Sequence, residues 1–350
     1  MGRVSAAEPT RAAEPTEGAG STDVARPLVD SFGRVHRDLR ISVTDRCNFR
    51  CTYCMPEEGM AWLPRSEVLT FEELERVARL LVERHGIRSI RLTGGEPTVR
   101  AHLPVLVSKL AVLPVDLALT TNGATLRLCA ADLAVAGLRR VNVSLDSLRP
   151  ERFAEMTRRD ELATVLDGID AALEAGLQPV KVNVVVVRGV NDDEVVDLAR
   201  FGRDRGVTVR FIEFMPLDGG EGWAADQVVT QAEILERVGA AFPLTAIQRG
   251  SEPAERFRYL DGRGEVGVIP SVSQPFCEQC DRIRLTADGQ LRSCLFSLED
   301  HDLRGVLRNG GSDDELSTAI EACVGAKWAG HAINQVQFIR PRRSMSQIGG

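Results

Sequence analysis

Leu39–Val43 (LRISV) leads within four residues into CNFRCTYC, residues 47–54, and this stretch decides the fold. A short apolar, β-branched run reads as a strand, which puts Cys47, Cys51 and Cys54 in a loop directly after it. In parallel β/α folds, the loops at the C-terminal ends of strands carry the chemistry. Tight spacing lets one loop wrap a cubane cluster, with three thiolates on three irons and a fourth iron left for another ligand. A structural zinc site would want a fourth Cys or His close by. The nearest histidines in sequence are His36 and His85.

Outward from this stretch the chain alternates. Further apolar runs occupy Ser89–Leu92, Leu117–Thr121, Val141–Leu145, Val180–Val187 and Val207–Phe214. Helical patterns lie between them. One begins at Thr70 with Glu73 three residues later, a capping-box pattern, and stops at Gly86. Others cover roughly 102–112, 125–136, 161–175 and 192–205. Strands alternating with helices predict parallel βα units. Six are too few for a closed eight-unit barrel, so the expected class is α/β with a partial, six-unit parallel β/α barrel. After Phe214 the rhythm breaks into a Gly-rich loop, Met215–Trp223, then a mixed segment over 229–311 and a last helix at 313–325. The expected organisation is a disordered N-terminal extension over 1–27, where AAEPT occurs twice, then the barrel over 28–225. A C-terminal region over 226–350 carries a second cysteine cluster and the basic tail RPRRSMSQIGG.

Bulk properties narrow the class. The chain has 350 residues, 43% hydrophobic and 27% charged, as an ordinary globular protein does. It shows no run of 18 apolar residues, which argues against a membrane span, and no apolar leader of the secretory kind. The expectation is a reducing cytoplasm, where clustered cysteines serve as metal ligands or catalysts. A formal net charge of −7 argues against nucleic acid as a partner. Cys129 and Cys323 sit in helical patterns and read as small buried hydrophobes.

The second triad is Cys277, Cys280 and Cys294, a CxxC followed by one more cysteine in LRSCLF. A zinc ribbon would supply two CxxC pairs. Spacing alone leaves zinc and iron–sulfur both open, because both accept thiolates.

CNFRCTYC, with the aromatic Tyr53 before its last cysteine, resembles the signature of the radical S-adenosylmethionine (SAM) superfamily. The resemblance implies a [4Fe–4S] cluster whose free iron holds SAM. One electron then releases a 5′-deoxyadenosyl radical. It also implies SAM contacts at Gly95 in TGGEP (93–97), at Ser144 in NVSLD (142–146) and at Met215. A wider resemblance, from about Val35 to Gly350, is to the molybdenum-cofactor biosynthesis protein A family, the GTP 3′,8-cyclases. It rests on DLRISVTDRCNFRCTYCMP, RLTGGEP, LTTNG, RRVNVSLDS, KVNVVV, VRFIEFMP, SVSQPFCEQCDRIRLTADGQLRSCLF and the final GG.

That resemblance implies a second [4Fe–4S] cluster on Cys277, Cys280 and Cys294, with GTP on its open iron. It implies GTP contacts at Arg40, Arg91, Thr120, Lys181 and Arg282–Arg284, which includes Ile283. It also implies a tail, with Arg340, Gly349 and Gly350, that reaches toward the site. Arginine forks suit a triphosphate. Lys181 shares a strand face with Asn183, so it can point into the barrel. The implied reaction is a lyase step in which the radical takes the ribose 3′ hydrogen and C3′ closes onto guanine C8. A further electron and proton then give 3′,8-cyclo-7,8-dihydro-GTP in the first step of molybdenum cofactor biosynthesis. The implied partners are an external one-electron donor and the downstream cyclic pyranopterin monophosphate synthase, and the family allows a homodimer. Two other readings are a peptide-modifying radical SAM enzyme, which would want seven or more C-terminal cysteines, and a cluster-binding regulator without turnover.

Overall fold

Six parallel strands form where the apolar runs lie: β1 (Asp38–Ser42), β2 (Ser89–Thr93), β3 (Asp116–Thr121), β4 (Arg140–Ser144), β5 (Val180–Val186) and β6 (Thr208–Glu213). The computed structural model describes residues 1, 25–56, 60–217, 223–250, 252–333, 338–341 and 343–349. Most of the expected N-terminal extension, part of the Gly-rich loop, Arg342 and Gly350 lie outside the described residues. Helices α1 (Phe71–His85), α2 (Leu103–Ala111), α3 (Leu126–Val135), α4 (Pro150–Thr157), α5 (Leu162–Glu174) and α6 (Val195–Arg205) connect the strands. The Thr70–Glu73 capping box opens α1, and Gly86, at φ 71°, closes it in the left-handed region. The sequence reading did not anticipate α4, which starts on Pro150 and buries Phe153 and Met156.

The parallel run does not stop at six strands. The region after β6 supplies α7 (Gln231–Ala241), β7 (Leu244–Ile247), β8 (Glu255–Tyr259), β9 (Glu265–Ile269), β10 (Arg282–Leu285), β11 (Gln290–Arg292) and β12 (His301–Asp302). It ends with α8 (Leu303–Arg308), α9 (Asp313–Gly325) and α10 (Met345–Ile348). One sheet has the order β12-β11-β10-β1-β2-β3-β4-β5-β6-β9-β8-β7. β9 pairs parallel with β6, and β10 pairs parallel with β1, so the C-terminal region adds a parallel strand at each edge of the six. The outer hairpins β7–β8 and β11–β12 are antiparallel.

Register sorts the side chains into two faces. Leu39, Ile41, Ile90, Leu92, Leu119, Val141, Val182 and Phe211 are fully or almost fully buried under the helices. The opposite face carries Arg284, Arg40 and Arg91 in register across β10, β1 and β2. It continues with Thr120, Asn142 and Lys181, then Asn183 and Arg210. In a flat sheet β2 and β6, four strands apart, would stand on the order of 19 Å from each other. Instead the Arg91 charge reaches Arg210 and helps lower its pKa, and both residues line one cavity. The sheet therefore curls around its cationic face.

Candidate active site

The loop after β1 is pinned by the end of β2. Gly95 N donates to Thr44 O at 2.7 Å, and Glu96 N donates to Arg46 O at 2.7 Å. A Cβ on Gly95 would lie 2.4 Å from the carbonyl oxygens of Asp45 and Arg46. Glycine is needed here so that two backbones can touch, and the partner in contact is the cysteine loop itself. Cys47, Cys51 and Cys54 line one cavity with Tyr53, Gly95 and Ser144. Tyr53 donates to buried Asp146 at 2.6 Å, and Asn122 Nδ2 lies 3.9 Å from Cys47 Sγ. Burial pushes Cys47 up to about 11, and burial with the neighbouring Cys47 pushes Cys54 to about 12. These thiols stay neutral until a metal takes their protons.

The second triad is at the other end of the strands. The segment 270–281 leaves β9 at the C-terminal end of the sheet and enters β10 at the N-terminal end, so it runs down the open side. Glu213, fully buried at the end of β6, holds its start by accepting from Val272 N at 2.8 Å and Ser273 N at 2.7 Å. Asp281 O holds its end by accepting from Arg37 N and Asp38 N. Cys277 and Cys280 are on this segment, and Cys294 follows β11. All three line a second cavity, between the two ends of the strands, with Arg40, Arg91, Arg210, Arg282 and Arg284. A five-residue strand spans roughly 16 Å, which sets the axial separation of the triads. Burial works against ionisation of Cys280, yet Arg282 and Lys327 beside it bring the thiol down to about 7.

Both donor sets are thiol triads, the donor chemistry that iron–sulfur clusters take. Among the described residues no group of three His, Cys, Asp or Glu side chains is arranged to hold one metal ion. A cluster spreads its thiolates over separate irons, so the triad need not converge on one point.

The cationic face is the least compensated part of the molecule. Arg210, Arg282 and Arg284 are 5%, 8% and 6% exposed. Among the described residues Arg40, Arg91, Arg210, Arg282 and Arg284 make no ion pair with a carboxylate, and Nε of Arg40 and of Arg91 is buried with no hydrogen-bond partner. Burial, then Arg284 and Arg91, drives the Arg40 pKa far down. Burial and Arg91 bring Arg210 to about 9, and burial and Arg282 bring Arg284 to about 10. Packing like charges this way is costly without an anion. Lys181 faces the N-terminal opening, 3.7 Å from Glu252, beside Arg91 and Arg210, which line that opening and the second cavity alike. Burial, then Arg210, lowers Lys181 to about 8.

The tail occupies the junction. Gly349 O accepts from Arg284, and Met345 of α10 and Thr120 each line both cavities. Arg343 ties the tail to Asp288 and Asp300 at 2.9 and 2.8 Å, while Arg340 donates to Trp223 O at 3.2 Å. Two expected contacts are placed differently. Met215 lines the second cavity, because β6 lies beside β9 and away from the first triad. The Ile283 side chain is turned onto the helical face and is fully buried in the core. Sequence reading missed Glu96, Asp146, Glu213 and Arg210. Arg210 could have been found by the same alternation that singles out Lys181, since it faces inward from the next strand.

Residues 41–202 match the Radical SAM superfamily, and residues 207–333 match Molybdenum Cofactor Synthesis C. The GTP 3′,8-cyclase of Rhodopirellula baltica is 51% identical over 330 residues, 92% of this chain and 92% of that one. That of Streptomyces coelicolor is 48% identical over 337 residues, 95% of this chain and 99% of the relative. The chain belongs to the GTP 3′,8-cyclase family. Radical SAM membership brings one [4Fe–4S] cluster with SAM, and the GTP 3′,8-cyclase family carries a second cluster. Among solved structures, SuiB of Streptococcus suis superposes with a TM-score of 0.56 at 14% identity, over 89% of this chain and 77% of SuiB. The SuiB structure bound to S-adenosylmethionine gives 0.55 over the same shares. These likenesses show the mixed α/β radical SAM fold. No helix among the described residues of this GTP 3′,8-cyclase family member is long and apolar enough to cross a membrane.

Proposed function

We propose that this chain is a lyase that converts GTP to 3′,8-cyclo-7,8-dihydro-GTP in the first step of molybdenum cofactor biosynthesis. The observation that carries the reading is the set of five cavity-lining arginines, three of them buried, without carboxylate partners among the described residues beside the second cysteine triad. We read β1–β6 with their helices, within residues 28–225, as a six-unit partial barrel that holds SAM, and residues 226–350 as the region that completes the substrate site. Cys47, Cys51 and Cys54 would hold the first cluster, and Cys277, Cys280 and Cys294 the second. When bound, the first cluster and SAM supply a 5′-deoxyadenosyl radical that takes the ribose 3′ hydrogen.

The chain's own residues position the reactants. Tyr53, Gly95 and Ser144 surround the SAM side. Arg40, Arg91, Arg210, Arg282 and Arg284, with Lys181 toward the N-terminal opening, offer a triphosphate a run of charge-assisted hydrogen bonds. Ile283 serves that set by aiming the two arginines that flank it inward. Thr120 and Met345, shared by the two cavities, bound the passage between them, where the ribose would meet its oxidant. Met215 lines the base side, and Gly349 holds Arg284 in place, with Arg340 and Gly350 belonging to the same tail. An external one-electron donor, a downstream cyclic pyranopterin monophosphate synthase, a cytoplasmic setting and a homodimer complete the proposal.

Anaerobic reconstitution followed by mass spectrometry tests it. The expected product is an isomer of GTP with the same mass, because the hydrogen taken from C3′ is replaced by one electron and one proton. It is recognised by changed chromatographic retention and fragmentation, and it is released with 5′-deoxyadenosine. SAM cleavage with unaltered GTP would overturn the substrate assignment.

A further inference from the structure

The second triad is not symmetric. Lys327, two residues past the end of α9 and 4% exposed, places Nζ 3.4 Å from Cys280 Sγ. The same ammonium donates to Arg282 O at 2.8 Å and lies 3.5 Å from His36 Nδ1. An ammonium can only donate, so His36 Nδ1 is the acceptor and Nε2 carries the ring hydrogen. That hydrogen points at Asp30, 3.1 Å away, and His36 is fully buried. Asp30 also accepts from Arg34 Nε at 2.6 Å. Arg34 in turn donates to Cys277 O at 2.8 Å and to the backbone on either side of the next turn, Trp328 O at 2.5 Å and Ala329 O at 2.8 Å.

Three side chains from the short hairpin at 28–36 thus fix one cation, Lys327, against one of three cysteines, where Arg282 is a second cation. Asp30 orients both His36 and Arg34, His36 receives the ammonium, and Arg34 clamps the segment that carries it. A cation donating to a cluster-ligating sulfur stabilises the form with one more electron, and hydrogen bonds to ligand sulfurs are among the factors that set cluster potentials. Resting on the reading that Cys277, Cys280 and Cys294 hold a cluster, we propose that Lys327 is a positioning residue that raises the reduction potential of the second cluster through Cys280. The Asp30–His36–Arg34 network holds it there. Among the described residues no cationic side chain is within hydrogen-bonding distance of a sulfur of the first triad; the side chains that reach those sulfurs are Asn122, 3.9 Å from Cys47, and Tyr53 at Cys51.

The experiment is an EPR-monitored redox titration of reconstituted wild type, Lys327→Met, Lys327→Arg and Asp30→Asn, with iron counted for each. In Lys327→Met the second-cluster potential should move to lower values with the first unmoved. Lys327→Arg should restore most of the difference, and Asp30→Asn should move it in the same direction as Lys327→Met but less. Retained iron with an unshifted second-cluster potential in Lys327→Met would overturn the proposal. So would loss of iron in both Lys327 variants together with a lowered melting temperature of the metal-free protein, which assigns the lysine a packing role. Loss of iron in Lys327→Met alone, with Lys327→Arg intact, supports it, because charge is then what the cluster requires. Wild-type protein that binds about four irons instead of about eight would instead remove the second-cluster reading itself.

Discussion

The two cysteine triads are built on opposite plans. Cys47, Cys51 and Cys54 fall within eight residues, in one loop at the C-terminal end of β1, held by backbone contacts from the end of β2. Cys277, Cys280 and Cys294 span 18 residues and depend on the segment down the open side and on the hairpin β10–β11. The first triad lies among Asn122, Tyr53, Glu96 and Asp146 with Arg50 as its one nearby cation among the described residues, and burial pushes its thiols up. The second is surrounded by cations, and Cys280 is pulled down to about 7. A local loop suits a cofactor chemistry that many substrates can share. A site assembled from both edges of the sheet suits one particular anion, because its charges come from several strands that must all be in place.

The sharpest break of this contrast is Cys51→Ser. It should abolish SAM cleavage and reduce bound iron from about eight to about four, while the second cluster remains visible by EPR. Loss of both clusters would show that the two ends are not independent. Next is Gly95→Ala. Its Cβ meets backbone oxygens at 2.4 Å, so the cysteine loop must move. A displacement of that order costs on the order of 100-fold in turnover, with first-cluster iron partly retained and GTP binding at the second site unchanged.

On the second side, Arg210→Ala should weaken GTP binding roughly 10- to 100-fold, as expected for about 1.5–3 kcal/mol of charge-assisted hydrogen bonding. Uncoupled SAM cleavage should continue. Calorimetry showing unchanged affinity would take Arg210 out of the anion set.

The smallest expected effect is a pH dependence. Lys181, lowered by burial and then Arg210 to about 8, holds fewer protons in the folded protein than in the unfolded chain between pH 8 and its ordinary value of 10.5. Stability of the ligand-free protein should therefore rise across that window. GTP affinity should fall across it, since the anion needs the protonated amine. Lys181→Met should remove the part of both profiles that begins near pH 8, and a wild-type affinity constant from pH 7 to 10 would remove Lys181 from the site.

Local signals were legible in the sequence. The capping box at Thr70 and Glu73 and the helix over 313–325 needed only nearby residues, as did the strand runs. Alternation along its strand singled out Lys181, whereas Arg40 and Arg91 came from the family resemblance. What was not legible depends on distant partners. Nothing near Arg282 signals that β10 pairs with β1, about 240 residues earlier, and that pairing turns the Ile283 side chain away from the cavity. Lys327 reads as an ordinary cation past a helix end, and only the folded chain brings it to Cys280. Gly95 in TGGEP entered only through the family resemblance, and its packing against the cysteine loop shows only in the fold.

The pairing of β10 with β1 has a consequence for biogenesis. On the ribosome β1 has β2 on one side within about 50 residues, but its other edge waits for residues 282–285. At 5–20 residues per second the wait is roughly 12–50 s. During that time an unpaired strand edge stands beside three reduced cysteines, open to both aggregation and oxidation. Arrival of β10 closes the edge and delivers the second triad in the same event.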